Sequence, residues 1–216
     1  MGPEHLDTAS SLNDLSSLYY QQGAYEQAES LLVRELAIRK QQLGLLHPET
    51  AQCLNDMASL YLVQEKYEQA EPFYEQAFSI RERLLGPLDI DTMFTLNNLE
   101  DVYKKLGKYA EAEALGQRVV TIHEQQLGPT DPNTASSLNN LANVYESQGK
   151  YAEAEPLYQR AFTVFEEQLG SMHRNTASTL AGLASCAQSQ GKFAEAEPLY
   201  QRALYIREQT LGLEHS

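Results

Sequence analysis

Between residues 131 and 170 the apolar side chains recur at helical spacing. Leu138, Leu141, Ala142 and Tyr145 follow i, i+3, i+4, i+7, and Ala154, Leu157, Tyr158, Ala161, Phe162 and Phe165 continue the period. Gln148-Gly149-Lys150 separates the two stretches and reads as a glycine helix stop. Asp131-Pro132 opens the first stretch with a capping acceptor and a proline at the first helical position, and His47-Pro48 holds the same place further upstream. Leu169-Gly170 closes the second. The pattern predicts helix A, a short turn, a longer helix B and a short loop. No segment sustains a period of two, so β-sheet classes are excluded.

The same pattern recurs every 42 residues. Thr8, Thr50, Thr92, Thr134 and Thr176 are so spaced, as are Ala28, Ala70, Ala112, Ala154 and Ala196, and Gly44, Gly86, Gly128, Gly170 and Gly212. Five repeats follow, at approximately 5–44, 45–86, 87–128, 129–170 and 171–212 of a single repeat domain. Residues 213–216 match Leu45-Leu46-His47-Pro48 and read as the start of a truncated sixth. One helix pair cannot bury its stripe alone, so neighbours must stack into a solenoid. The residues Ala142 and Ala161 permit close approach, and Tyr145, Tyr151 and Tyr158 fill the space between helices. Pro72, Pro156 and Pro198 fall after the first turn of helix B, where a bend or a delayed helix start is expected. With no helix following, Leu199, Ala203 and Ile206 of the last helix B are expected to form an exposed apolar flank.

Charge narrows the partners. Sixteen Lys and Arg against thirty Asp and Glu give a net charge of −14, which argues against phosphate-backbone recognition. No apolar run approaches the ~18 residues of a membrane span, and the first residues do not read as a signal peptide. Cys53 and Cys186 lack metal-type spacing and read as free thiols of a reducing, cytoplasmic setting. Cys186 takes the apolar place of Leu18, Leu60 and Val144. His5, His47, His173 and His215 recur at the entrance of helix A, one per repeat, where capping is expected rather than metal ligation. Glu153 and Glu155, like Glu195 and Glu197, suit the start of helix B through the helix dipole. No phosphate loop, dinucleotide fingerprint or nucleophile elbow is present, so neither a cofactor nor catalysis is expected.

The motif Leu138-Asn139-Asn140-Leu141-Ala142, Tyr145, Gly149-Lys150-Tyr151, Ala154-Glu155-Pro156-Leu157-Tyr158, Arg160-Ala161 and Leu169-Gly170 resembles the kinesin light chain type of tetratricopeptide repeat. The resemblance covers essentially the whole chain. It implies an all-α, right-handed superhelical solenoid of five helix-turn-helix repeats, with helix A lining a concave groove. It further implies that the outer face of helix A carries the binding strip. In the fourth repeat that face holds Ser136, Asn139, Asn140, Asn143 and Ser147. Asn13, Asn55, Asn97 and Asn139 then form a ladder, and the resemblance assigns such asparagines to the backbone of a bound peptide. An amide both donates and accepts, so it suits that role; bracing neighbouring helices is the alternative. Ala181 interrupts the ladder in the fifth repeat.

The third repeat departs most from the others. Glu100 replaces a small residue, with Lys104 placed to pair with it, and Gly116 stands where others have tyrosine. Phe94 takes a groove place held elsewhere by serine or glutamine. Phe94, Asp101, Lys104 and Lys105 are therefore a candidate ligand pocket, joining Asn98, Asn140 and Asn143 as candidate groove residues. Light chains read acidic cargo with basic residues near the end of helix A. Here only Lys104 and Lys105 occupy that place, so a neutral or basic peptide fits at least as well as an acidic one. The favoured expectation is a protein- or peptide-binding scaffold. The alternatives are a sensor segment of a larger ATPase switch protein and an array that self-associates end to end.

Overall fold

The computed structural model describes residue 2 and residues 4–214, with backbone alone from 211 onward. Ten helices are present among the described residues, and no strand. They are α1 (Leu6–Gln21), α2 (Tyr25–Leu43), α3 (Pro48–Val63), α4 (Tyr67–Leu85), α5 (Ile90–Lys105), α6 (Tyr109–Gln126), α7 (Pro132–Ser147), α8 (Tyr151–Gln168), α9 (Arg174–Ser189) and α10 (Phe193–Glu214). The odd-numbered helices are the predicted A helices and the even-numbered ones the B helices. The chain forms two compact units, Met1–Gly107 and Lys108–Ser216. In the first, α1 to α5 pack each against the next; in the second, α6 to α10 do the same. No helix of the described residues is long and apolar enough to cross a membrane.

Local chemistry sets the helix ends. At the start of α1, α3 and α9 the Nδ1 of His5, His47 and His173 accepts the backbone N–H two residues on, at 3.1 to 3.3 Å. Asp89 and Asp131 do the same for α5 and α7. His215 lies outside the described residues. The B helices lack side-chain caps at α2, α4, α6 and α8, but each carries a glutamate in its first turn. The turn between A and B needs one left-handed residue: Gly149 takes φ 72°, and in the second repeat Glu65 occupies that place at φ 58°. The prolines do not delay helix B. Pro72, Pro156 and Pro198 each sit five residues inside a helix that has already begun at Tyr67, Tyr151 or Phe193.

The core is built as the spacing required. In the second unit Val120, Ala135, Leu138, Leu141, Ala161, Val164 and Phe165 form one buried cluster. Ala142, Ala154, Tyr158, Leu183 and Cys186 form the next. The small residues let helix axes approach, and the large ones fill the gap between repeats. The expected exposed flank on α10 is corrected. Ala203 and Ile206 are 2% and 1% exposed, packed on Ala177 and Leu180 of their own repeat's α9, with Leu199 alongside. Among the described side chains of α10, the large exposed apolar ones are Phe193, Tyr200, Leu204 and Tyr205. Residues 203 and 206 face the partner helix within the repeat, and a rotation of one to two residues, at about 100° each, brings Leu204 and Tyr205 to the exposed side.

Candidate functional site

In the first unit, side chains of α1 and α3 line most of a cavity of about 410 Å³. Asn13, Ser16, Ser17, Tyr20 and Gln21 come from α1, and Gln52, Asn55, Asp56 and Ser59 from α3. Leu32 of α2 and Phe94 of α5 complete the wall. Phe94 is 57% exposed, an aromatic ring held out from the helix rather than packed into the core. Asp101, Lys104 and Lys105, expected to share a pocket with Phe94, do not line this cavity. Lys104 Nζ lies 3.6 Å from Asp101 Oδ1, and Lys105 is exposed.

Along the cavity wall runs a polar network that reaches inward to Glu35. Asn13 Nδ2 donates to Glu35 Oε2 at 3.2 Å and to Asp56 Oδ2 at 3.4 Å, and Gln52 Nε2 donates to Asp56 Oδ1 at 2.8 Å. Glu35 is buried and takes a charged hydrogen bond from Arg39 Nε at 2.6 Å. Arg39 also reaches Glu49 at the start of α3. Burial pushes the carboxyls of Glu35 and Asp56 above their ordinary values, with the bonds they accept pulling the other way. Burial likewise raises the Cys53 thiol, beside the same carboxylates, so it is no ready nucleophile.

Asn55 is not on the open surface. It is 3% exposed, its Oδ1 accepting from Thr95 Oγ1 at 3.1 Å and from Arg81 Nη1 at 3.5 Å. Arg81 is itself buried in α4 and donates onward to Gln52, to Thr95 and to the Asp91 carbonyl. The ladder asparagine is thus a brace between consecutive repeats here. Asn139 plays a similar part in the second unit, accepting from Thr179 Oγ1 of the next repeat at 2.9 Å.

The second unit has a smaller cleft, about 180 Å³, lined by Ser136, Asn139, Asn140, Phe165, Asn175 and Ser178. Asn143 is turned toward α8, its Oδ1 accepting from the Tyr158 hydroxyl, which also donates to Glu146. Asn97 is exposed and Asn98 partly buried on α5. Glu100 is buried in α5, and burial pushes its carboxyl up to about 7 against the opposing charge of Lys104. The residues missed from the sequence are Arg39, Arg81 and His123. They share one place in the 42-residue frame, and each reaches from a B helix to the next A helix; His123 Nδ1 lies 3.0 Å from Ser137 Oγ. Their signal was a polar residue recurring beside the buried Ile38 and Ile80. Among the described residues no three metal-ligating side chains lie together.

Paired helices of this kind, braced A to B and B to the next A, define a helical-repeat scaffold. The chain belongs to the tetratricopeptide repeat family, whose model matches residues 1–41, 49–125, 91–167 and 133–209. The family is one of protein-interaction scaffolds. Among solved structures, the nearly identical repeats of a Podosopora anserina protein described as a kinesin light chain are 25% identical. They superpose with a TM-score of 0.78 over 95% of this chain and 98% of that one. BtubC (BKLC) from P. vanneervenii is 26% identical, with a TM-score of 0.76 over 94% of this chain and 81% of that one. A Rap protein complexed with competence and sporulation factor shares the fold alone, at 15% identity and a TM-score of 0.63, over 90% of this chain and 52% of that one. No curated protein matches the chain. The likeness to kinesin light chain-type repeats, implied by the motif, therefore extends to the structure.

Proposed function

We propose that this chain is a protein-binding scaffold that holds an extended peptide against the polar face of its A helices. The observation that carries the reading is the cavity in the first unit, lined mainly by amide and hydroxyl side chains of α1 and α3. Amide and hydroxyl groups from α1 and α3 supply donors and acceptors for a peptide backbone, and Phe94 offers an apolar contact that sets register. Its volume falls within the ~300–1,000 Å³ typical of ligand sites. In the second unit Ser136, Asn140 and Ser178 supply the corresponding polar face. Asn55 braces the wall in this reading, Asn139 both braces and lines the second-unit cleft, and Asn13, Asn97 and Asn98 are assigned to the peptide. A Rap protein of the same fold was solved with a bound factor, which makes ligand binding by such a fold a precedent rather than a transfer of identity.

Panning a random dodecapeptide display library against the chain tests the reading. The enriched peptides are then measured by calorimetry. Ser17→Trp, which fills the cavity from an exposed position of α1, is expected to weaken them at least tenfold, or about 1.4 kcal/mol. Undiminished affinity in a folded Ser17→Trp variant would move the site off this face.

A further inference from the structure

The first-unit cavity is lined by one charged side chain, the carboxylate of Asp56. The helices α1 and α3, which form most of its wall, contain Asp7, Asp14, Glu49 and Asp56 and not one lysine or arginine. Asp56 lines the cavity and accepts from amides, Gln52 at Oδ1 and Asn13 at Oδ2. The two nearby guanidinium groups are committed elsewhere: Arg39 to Glu35 and Glu49, and Arg81 to Gln52, Asn55, Thr95 and the Asp91 carbonyl. A carboxylate carries about four acceptor positions on its two oxygens, so Asp56 retains capacity for a charged donor. Two aromatic rings, Tyr20 and Phe94, belong to the same wall. Phe94 stands where the first and second repeats place Ser10 and Gln52.

We infer that this cavity is an arginine pocket: it takes a basic side chain of the bound peptide, packs the guanidinium against Phe94 and Tyr20, and pairs it with Asp56. A planar guanidinium stacks on aromatic faces and bonds a carboxylate through fixed N–H groups, which a lysine ammonium does less well. The partner is therefore a basic peptide segment, opposite in charge to a chain carrying −14. Burial raises the Asp56 carboxyl, against its amide hydrogen bonds and the charge of Arg81, and a cation brought against it favours the charged form. The inference rests on the proposal that this face binds peptide.

The panned dodecapeptides test it. They are expected to carry an arginine, and replacing that residue by citrulline, its neutral isostere, is expected to weaken binding at least tenfold. Asp56→Asn should bind the arginine and citrulline peptides alike, removing the preference for arginine. Phe94→Ala, at an exposed position, should weaken the arginine peptide several-fold; it keeps the test decisive if Asp56→Asn is misfolded by circular dichroism. Enriched peptides without a basic residue, or citrulline peptides that bind as well as arginine ones, overturn the pocket while leaving the peptide face standing. An arginine preference that survives both variants also overturns it, since diffuse attraction to an acidic surface would then explain the selection. Failure to enrich any peptide sensitive to Ser17→Trp removes the peptide face itself.

Discussion

Glu100 occupies a place where other repeats carry Ser16, Ala58, Ala142 and Ala184, and it is 4% exposed. Its carboxyl is pushed from 4.5 up to about 7, chiefly by burial and further by Asp101, against the charge of Lys104. Between those values the folded chain holds a proton that the unfolded chain has released. The unfolded state thus binds fewer protons, and stability falls as pH rises through the window. Glu100→Gln is expected to abolish that loss, leaving stability near the native value at pH 4 and raising it at pH 8 by up to about 3 kcal/mol. Urea midpoints at the two pH values check this; a variant that tracks the native chain at both would show that the carboxyl is ionised in the fold at no cost. The residue scale also divides the asparagines. The pattern assigned Asn13, Asn55, Asn97 and Asn139 to one strip of helix A but could not tell Asn55, enclosed by Thr95 and Arg81, from Asn97, which is exposed. A helical wheel gives direction and not what arrives from the next repeat.

At the scale of elements, the 42-residue columns of threonine and glycine acquire a cause. The hydroxyls of Thr50, Thr134 and Thr176 each donate to the carbonyl of the glycine six residues before, Gly44, Gly128 and Gly170, at 2.8 to 2.9 Å. The bond ties the loop after helix B to the first turn of the next helix A. In the third repeat Thr92 Oγ1 lacks it, and it is the one buried side-chain polar atom without a partner among the described residues. A second column is broken to good effect. Gly182 stands where other repeats have Asp14, Asp56, Asn98 and Asn140, and the ring of Tyr158 lies over it. A methyl group there would come within 2.6 Å of Tyr158 Cε1 and Cζ. That ring cannot swing aside cheaply, because it is buried and its hydroxyl bonds Asn143 and Glu146. Gly182→Ala is expected to cost about 1–3 kcal/mol. Adding Tyr158→Leu should recover part of the loss, and a double-mutant cycle of denaturation energies measures that coupling. Strictly additive effects would mean the ring and Gly182 do not press on each other.

On the scale of the whole molecule, stability in a repeat array is close to a sum of repeat and nearest-neighbour terms. Leu141 is buried among Val120, Leu138, Ala161 and Phe165, and its Cδ1 methyl lies over Gly116, which takes the place of a tyrosine. Leu141→Ala is expected to cost ~2–5 kcal/mol. Ser147→Ala, at an exposed position bonded only to its own helix at Asn143, should change nothing measurable. Native-state hydrogen exchange locates the damage: in Leu141→Ala the amides of α6, α7 and α8 should lose protection while those of α1, α2 and α3 keep theirs. Uniform loss along the chain would mean that it unfolds as one body.

Periodicity alone determined the helices, their pairing and their caps at His5, His47, Asp131 and His173. These are local or repeating features, and a side chain's angular position follows from its place in a helix. Tertiary structure decided the rest: that Phe94 joins Tyr20 and Asp56 rather than Lys104 and Lys105, that Asn55 is enclosed, and that Ala203 and Ile206 turn inward. It also decided that Arg39 and Arg81 serve the fold rather than the surface. Each of these depends on which side chain of a neighbouring helix comes within reach, a distance set by packing between repeats and carried by no single stretch of sequence.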